Sequence, residues 1–342
     1  MIEILDPAID RSRIEDLTSG HNAYVYTDSW TEAFAEVQAL AKFSPDLQDI
    51  EGSDLERLSR YVVYPWRRVI VRLPEPALYY RLRTTRNRYL ITDDEQDQWS
   101  SATIAIAGLS VGASAVNTCS LTGARKFSIA DPDVLGISNL NRLSEAACDV
   151  GVAKAVLAER RILERDPYSR VDSFPGGYDP AMADQFLGPV DSPTGTVVLE
   201  EMDCLSMKVN LRVQARARGI PLVMVTDDGD NVIVDVERYD EDPSYPLFHG
   251  SVEGIENMST SELDDPENRV KIAAAIVGQD IGPRTKSSMS EVGKSLATWP
   301  QLGTAATVAG AVAAMTARQI VCGVPVKSGR AHIRIDDVPI FG

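Results

Sequence analysis

The chain has 342 residues, with 34 Lys+Arg against 50 Asp+Glu, a formal net charge of −16 at pH 7. That balance argues against wrapping nucleic acid or coating an anionic membrane, since both need positive charge at the contact. At 44% hydrophobic and 25% charged residues the composition is globular, and the length suits two domains. The four cysteines, Cys119, Cys148, Cys204 and Cys322, include no C-x-x-C pair. The initial MIEILDPAIDRSRIEDL carries acids where a signal peptide needs a basic start and an apolar core. The expectation is a cytoplasmic protein with free thiols.

Residues 1–85 read as a small α+β domain. Trp30–Phe43 has apolar residues at helical spacing, and Leu55–Arg60 reads as a second short helix. Tyr61–Leu73 is β-rich and broken at Pro65, and Leu78–Leu82 suits strand or helix. Residues 57–88 hold nine arginines (57, 60, 67, 68, 72, 81, 83, 86 and 88) and one acid, Glu75, interleaved with Tyr61, Tyr64, Trp66, Tyr79 and Tyr80. This +8 strip leaves −24 for the remainder. Two explanations stay open: a basic strand pair docking on the acidic remainder, or a face around Arg67 and Arg68 that receives an anionic substrate. Asp93–Ser101 follows as an acid-started helix.

From Thr103 the pattern alternates strand and helix. Strands are expected at Thr103–Ala107, Lys126–Ala130, Arg170–Phe174, Thr196–Leu199 and Pro221–Val225. Helices are expected at Ala113–Thr122, Val152–Glu164, Ala181–Leu187 and Met207–Arg218. This order implies a Rossmann-like α/β fold, a mainly parallel sheet with helices on both faces. Asn231–Val236 and His332–Ile335 read as later strands. The polar stretch at about 251–302 reads as a mobile or substrate-covering insertion. Gly303–Val321 is rich in Ala and Gly and interrupted by Thr and Arg, as in a tightly packed internal helix rather than a membrane span.

Between the first strand and helix lies Gly108-Leu-Ser-Val-Gly112, a turn whose glycines let backbone approach phosphate at a helix N-terminus. The second strand ends in Asp131-Pro-Asp133, where a carboxylate can accept from ribose hydroxyls; NAD(P) oxidoreductases and ATP users share that feature. Asn139 and Arg142 follow, and Lys154 starts the next helix. Two further cations suggest a longer polyphosphate than a dinucleotide carries. Asp203, at the carboxyl edge of the sheet, would repel phosphate unless a hard cation bridged them, which suggests Mg²⁺. Each residue also has an ordinary explanation: a capping Asn, surface Arg and Lys, an Asp opening a loop.

The run GLSVG…ADPDVLGISNLNR…GVAK…EEMD resembles the E1-like superfamily of ThiF, MoeB and HesA proteins, which use ATP and Mg²⁺ to adenylate a carboxylate. Upstream, Arg86-Asn-Arg88-Tyr-Leu-Ile resembles that family's arginine-bearing segment, which reaches the partner subunit's ATP. WPQLGTAATVAGAVAAMTARQIVCG resembles its late helix at the dimer interface. The resemblance implies an adenylation domain over 86–342, working as a homodimer on a ubiquitin-like carrier, a peptide or a small acid. It implies that Gly108, Ser110 and Gly112 line the phosphates and that Asp131 and Asp133 serve the ribose. Asn139, Arg142 and Lys154 would contact phosphate, Asp203 would hold Mg²⁺, and Arg88 would act in trans.

Three departures stand out: a glycine loop one residue short, no paired C-x-x-C for zinc, and no Cys between Cys204 and Cys322 for thioester transfer. No zinc is expected. An NAD(P) oxidoreductase and a non-catalytic ATP-binding scaffold remain the alternatives.

Overall fold

A computed structural model describes residues 1–19, 23–296 and 298–337. It divides into two compact units, Met1–Thr92 with Leu163–Ser169, and Asp93–Ile162 with Arg170–Gly342. The short segment at 163–169, placed by the sequence pattern within the α/β series, thus groups with the first unit.

The first unit contains β1 (Glu3–Leu5), α1 (Arg11–Thr18), β2 (Val25–Asp28), α2 (Ser29–Ala41), β3 (Ser59–Tyr64), β4 (Val69–Pro74) and α3 (Pro76–Arg83). Its four-stranded sheet runs β1-β3-β4-β2, with only the β4–β2 pair parallel. Asp28 caps α2 by accepting from the Trp30 and Thr31 amides, and Trp30 is fully buried. Leu55–Arg60 is not the expected helix. Arg60 already pairs with Leu73 in the β3–β4 ladder, so non-local pairing overrides the local spacing. Leu78–Leu82 resolves as helix because Pro76 occupies the first turn and Glu75 accepts from the amides of Ala77 and Leu78.

Six of the nine clustered arginines pair with acids of the same unit: Arg57 with Asp54, Arg60 with Asp6, Arg67 with Glu164, Arg72 with Asp28 and Glu56, Arg81 with Asp46, and Arg83 with Asp166. Most of the strip is therefore neutralised by its own unit.

The second unit opens with α4 (Asp93–Ser101), then β5 (Thr103–Ala107), α5 (Val111–Leu121), β6 (Lys126–Ala130), α6 (Lys154–Arg165, its residues from Leu163 on grouping with the first unit), β7 (Arg170–Phe174) and α7 (Ala183–Leu187). It continues through β8 (Val197–Glu200), α8 (Leu205–Ala217), β9 (Leu222–Asp228), β10 (Asn231–Glu237), α9 (Thr260–Leu263), α10 (Pro266–Val277), α11 (Pro283–Met289), α12 (Gly303–Val321) and β11 (Gly329–Ile333). The sheet order is β11-β10-β9-β8-β5-β6-β7, parallel from β9 to β7 and antiparallel at β10 and β11. The chain leaves β5 toward β6 and β7, then returns to β5's other side with β8 and β9. That reversal is a topological switch point, and it opens a crevice beyond the carboxyl ends of β5 and β8. Ile104 and Ile106 of β5 join the apolar cluster that includes Ala115 of α5 and Ala309 of α12; Ala105 and Ala107 join the cluster on the other face.

The stretch at 251–302, expected as a mobile or substrate-covering insertion, contains short helices. Ile255, Leu263, Ile272 and Ile276 bury against Leu205, Val209, Met224 and Phe248. No helix there hides more than two apolar residues, which leaves too little periodicity to read. No helix of the described residues is long and apolar enough to cross a membrane.

Beneath β8 and β10 lies a fully buried ionic group. Arg212 of α8 sits 2.5 Å from Glu200 and 2.8 Å from Glu237, its guanidinium 3.8 Å from the centre of the Phe248 ring. Phe248 holds a left-handed φ of 50° and its amide donates to Glu237 at 2.6 Å, so the ionic group also fixes a strained corner. Arg212→Met should cost about 3–5 kcal/mol in denaturant unfolding, because Glu237 loses the cation it pairs with and Glu200 keeps only Lys208. At the α5–α12 crossing, a Cβ on Gly310 would lie 2.5 Å from the Ser114 backbone. Gly310→Ala should therefore lower stability by about 1–3 kcal/mol, read as a fall in Tm.

Candidate active site

The turn after β5 is set by backbone crowding. Gly108 has φ +89°, and a Cβ there would meet the Glu201 carbonyl oxygen at 2.3 Å. Glycine is needed to let the ends of β5 and β8 touch, whatever lies above them. The Gly108 amide donates to the Ala130 carbonyl at 2.8 Å, and the Leu109 amide to Asp131 Oδ2 at 2.5 Å. Ser110 stands at the N-cap of α5 but caps no amide. Its hydroxyl donates to Gln301 Oε1 at 3.0 Å and accepts from Arg142 Nε at 2.9 Å. Gly112 lies in the first turn of α5, where a Cβ would come 3.1 Å from Ile106.

Asp131 is 4% exposed and also accepts from the Asp133 amide at 2.8 Å. Burial raises its pKa, opposed by the Leu109 amide and by Lys154. Lys154 opens α6 and is also buried, with Nζ 2.8 Å from the exposed Asp133 carboxylate and 3.8 Å from Asp131. An incoming phosphate would have to compete for it. Asn139 Oδ1 accepts from the Gly136 amide at 2.8 Å, a local turn cap, as its ordinary explanation has it. Arg142 Nη1 donates to Asn141 Oδ1 at 3.0 Å, and Asn141 Nδ2 to the Gln301 carbonyl at 2.8 Å. Through Gln301 the loop before α12 is clasped to the glycine turn.

The acidic wall lies on the β8–β9 side. Asp203 is exposed just before α8. Glu201 turns its carboxyl inward, accepting from the Val225 amide at 2.9 Å, and burial raises its pKa well above the usual range. Asp227, near the end of β9, is 6% exposed. Its polar neighbours are the Gln301 side chain, which hydrogen-bonds it, and Arg142. Burial pushes its pKa up to about 6, with Gln301 and Arg142 nearby holding it lower than burial alone would. Burial depresses the Arg142 pKa, and Asp227 and Asp203 oppose that shift. Asp227 and Gln301 are the site groups that sequence reasoning missed.

Gly108, Ser110, Gly112, Asp131, Asp133, Asn139, Arg142, Lys154 and Asp203 all belong to the second unit. Arg88 belongs to the first, its guanidinium 5.7 Å from the ring centre of Tyr89. Among the described residues no three His, Cys, Asp or Glu side chains gather to hold a metal ion. The exposed Asp203 carboxylate suits a hard divalent cation of the kind that takes one carboxylate and completes its shell with phosphate and water. All four cysteines are free, Cys119 buried and Cys204 exposed.

Comparison with known proteins places this geometry. The ThiF family matches residues 84–336. An uncharacterized protein of Mycobacterium tuberculosis (strain CDC 1551 / Oshkosh) is 37% identical over 312 residues, 91% of this chain and 42% of that protein. The chain thus spans less than half the length of that relative. Among solved structures, PaaA superposes over 98% of this chain and 97% of its own with a TM-score of 0.51 at 15% identity. The ATP complex of Escherichia coli tRNA N6-threonylcarbamoyladenosine dehydratase, TcdA, covers 71% of this chain and 95% of its own, with a TM-score of 0.50 at 17% identity. Likeness at such identities is likeness of fold.

Asp131→Ala would leave the amides of Leu109 and Asp133 without their acceptor. It should cost about 1–3 kcal/mol by denaturant unfolding, and speed hydrogen exchange at Leu109 before that at Ile104.

Proposed function

Because the chain belongs to the ThiF family, we propose that it is an ATP-dependent adenylyltransferase, converting a substrate carboxylate to an acyl-adenylate with release of pyrophosphate. The substrate is a carrier protein's C-terminus, a peptide or a small acid. The observation that carries this reading is the convergence at one switch point of a helix N-terminus, a buried Asp131, two cations and an acidic rim. The solved ATP complex of the TcdA protein, alike in fold, supports nucleotide binding in such a crevice.

In this chemistry a carboxylate oxygen attacks the α-phosphorus as the bond to the bridging oxygen of the pyrophosphate breaks. The protein supplies position and charge rather than a nucleophile. Asp131 accepts from the ribose while its own backbone bonds hold it still. The phosphates lie over the free amides at the start of α5. Arg142, steadied through Nε by Ser110, faces the α-phosphate, and Lys154 exchanges Asp133 for the departing pyrophosphate. Bound beside Asp203, Mg²⁺ would offset the repulsion between phosphate and the acidic wall.

We also place Arg88 across a homodimer. The adjoining Tyr89 is 92% and Leu90 85% exposed, and Tyr89 holds a left-handed φ of 71°, so this segment presents an apolar tip to solvent.

ATP with Mg²⁺ should raise the Tm of the full chain while NAD(P) leaves it unchanged, and candidate carboxylates should drive ATP–pyrophosphate exchange. A Tm shift with NAD(P) alone would favour an oxidoreductase; ATP binding without exchange across all three carboxylate classes would favour a scaffold. Asp203→Ala should reduce exchange at least a hundredfold with the fold intact, as loss of one electrostatic group in a transition state does. Mixed Arg88→Ala and Asp203→Ala subunits should recover part of the activity; no recovery despite subunit exchange would place complete sites within single chains.

A further inference from the structure

The carboxamide of Gln301 is engaged on two sides. Its Oε1 accepts from the Ser110 hydroxyl at 3.0 Å, and the same side chain hydrogen-bonds the buried Asp227 carboxylate. Ser110 in turn accepts from Arg142 Nε at 2.9 Å. One chain of hydrogen bonds thus joins the loop before α12, the N-cap of α5, the loop between β6 and α6, and the end of β9.

The two ends of this chain fix the protons between them. A guanidinium only donates, and an ionised carboxylate only accepts. Gln301 must therefore turn its NH2 to Asp227 and its carbonyl to Ser110. The Ser110 hydroxyl must then donate to that carbonyl and keep a lone pair for Arg142. A carboxamide carries both an acceptor and a donor on one planar head, as this position demands. A Leu would serve neither neighbour, and a Glu would set a second acceptor against Asp227. Backbone contacts hold the head in place: Asn141 Nδ2 donates to the Gln301 carbonyl at 2.8 Å, and a Cβ on Gly303 would lie 2.6 Å from the Asn141 carbonyl oxygen. Among the described residues, Ser110 takes Nε of Arg142, and Ser138 and Asn141 take Nη1, which leaves Nη2 as the edge that can meet a ligand.

We propose that Gln301 is a positioning residue of the nucleotide site: acting through Ser110, its carboxamide aims the Arg142 guanidinium at the α-phosphate. This rests on the adenylation reading. The loop before α12 thereby shapes the reaction through the hydrogen-bond chain, while Arg142 makes the contact.

The test is ATP–pyrophosphate exchange by full-length wild type, Gln301→Leu and Gln301→Glu, each rate taken relative to wild type at the same pH and each Tm recorded. Gln301→Leu should lower kcat roughly ten- to a hundredfold with KM for ATP within about threefold of wild type, since the guanidinium is misaimed rather than lost. Gln301→Glu keeps the shape but turns two acceptors on each other. At neutral pH it should be as slow as Gln301→Leu. On acidification it should recover toward wild type, because neighbouring carboxylates share a proton and that proton restores the missing donor. The charged groups bearing on that proton are Asp227, Arg142 and, through Arg142, Asp203. Wild-type kcat in both variants overturns the inference and leaves the adenylation reading standing. So does a slow Gln301→Glu whose ratio to wild type stays constant with pH, as a purely structural role would give. No exchange by wild type with any carboxylate class overturns both. Should Gln301→Leu fail to fold, the pH response of the isosteric Gln301→Glu decides.

Discussion

The crevice depends on a backbone contact. Gly108 must lack a side chain because the carbonyl of Glu201 occupies the space where a Cβ would be. That contact brings the ends of β5 and β8 together at the point where the strand order reverses. From it follow the direction of the Leu109 amide toward Asp131, the start of α5 over the switch point, and the exposure of Asp203 just beyond. A phosphate-cradling role for this glycine is compatible with the packing role, but the packing role alone is sufficient to require it. Glycine loops are commonly read for what they admit from outside; here the first demand is internal.

Much of the second unit was legible, for a local reason. Thr103–Ala107, Lys126–Ala130 and Arg170–Phe174 are strands with the expected bounds, because short apolar runs between turns and helices admit few alternatives. Gly303–Val321 is a helix as expected, its small residues packing against α5. What escaped depended on distant pairing. β9 reads as ending at Val225, yet Asp227 pairs with Val232 of β10, and the ladder carries the strand three residues beyond the apolar run into the site. Gln301 is a lone amide in a loop, with no periodicity to announce it. The helices at 251–302 were hidden by brevity, and Leu55–Arg60 by the pull of the β3–β4 ladder.

Charge was informative in a different way. The arginine-rich strip stood out against the acidic whole, but most of its cations meet acids brought from elsewhere in the unit, Asp6, Asp28, Asp46 and Glu164 among them. Sequence clustering of one sign says little about free charge when its countercharges arrive from remote segments. In the crevice the reverse holds: Asp227 attracts no notice in the sequence, yet it is buried there with Gln301 and Arg142 acting on it.

The tip of the β9–β10 hairpin, residues 227–230, gives its three acids three tasks. Asp227 faces the crevice, Asp228 grips the start of α11 through Gly282 and Thr285, and Asp230 accepts from Thr304 in the first turn of α12. Four residues of chain therefore tie the wall of the pocket to two separate helices. Such a hairpin works as a common hub: a displacement at its crevice side is felt at once by the segment that follows Asp228 and by the helix that packs on α5. Occupancy of the pocket and the set of the surrounding helices become one mechanical variable rather than two.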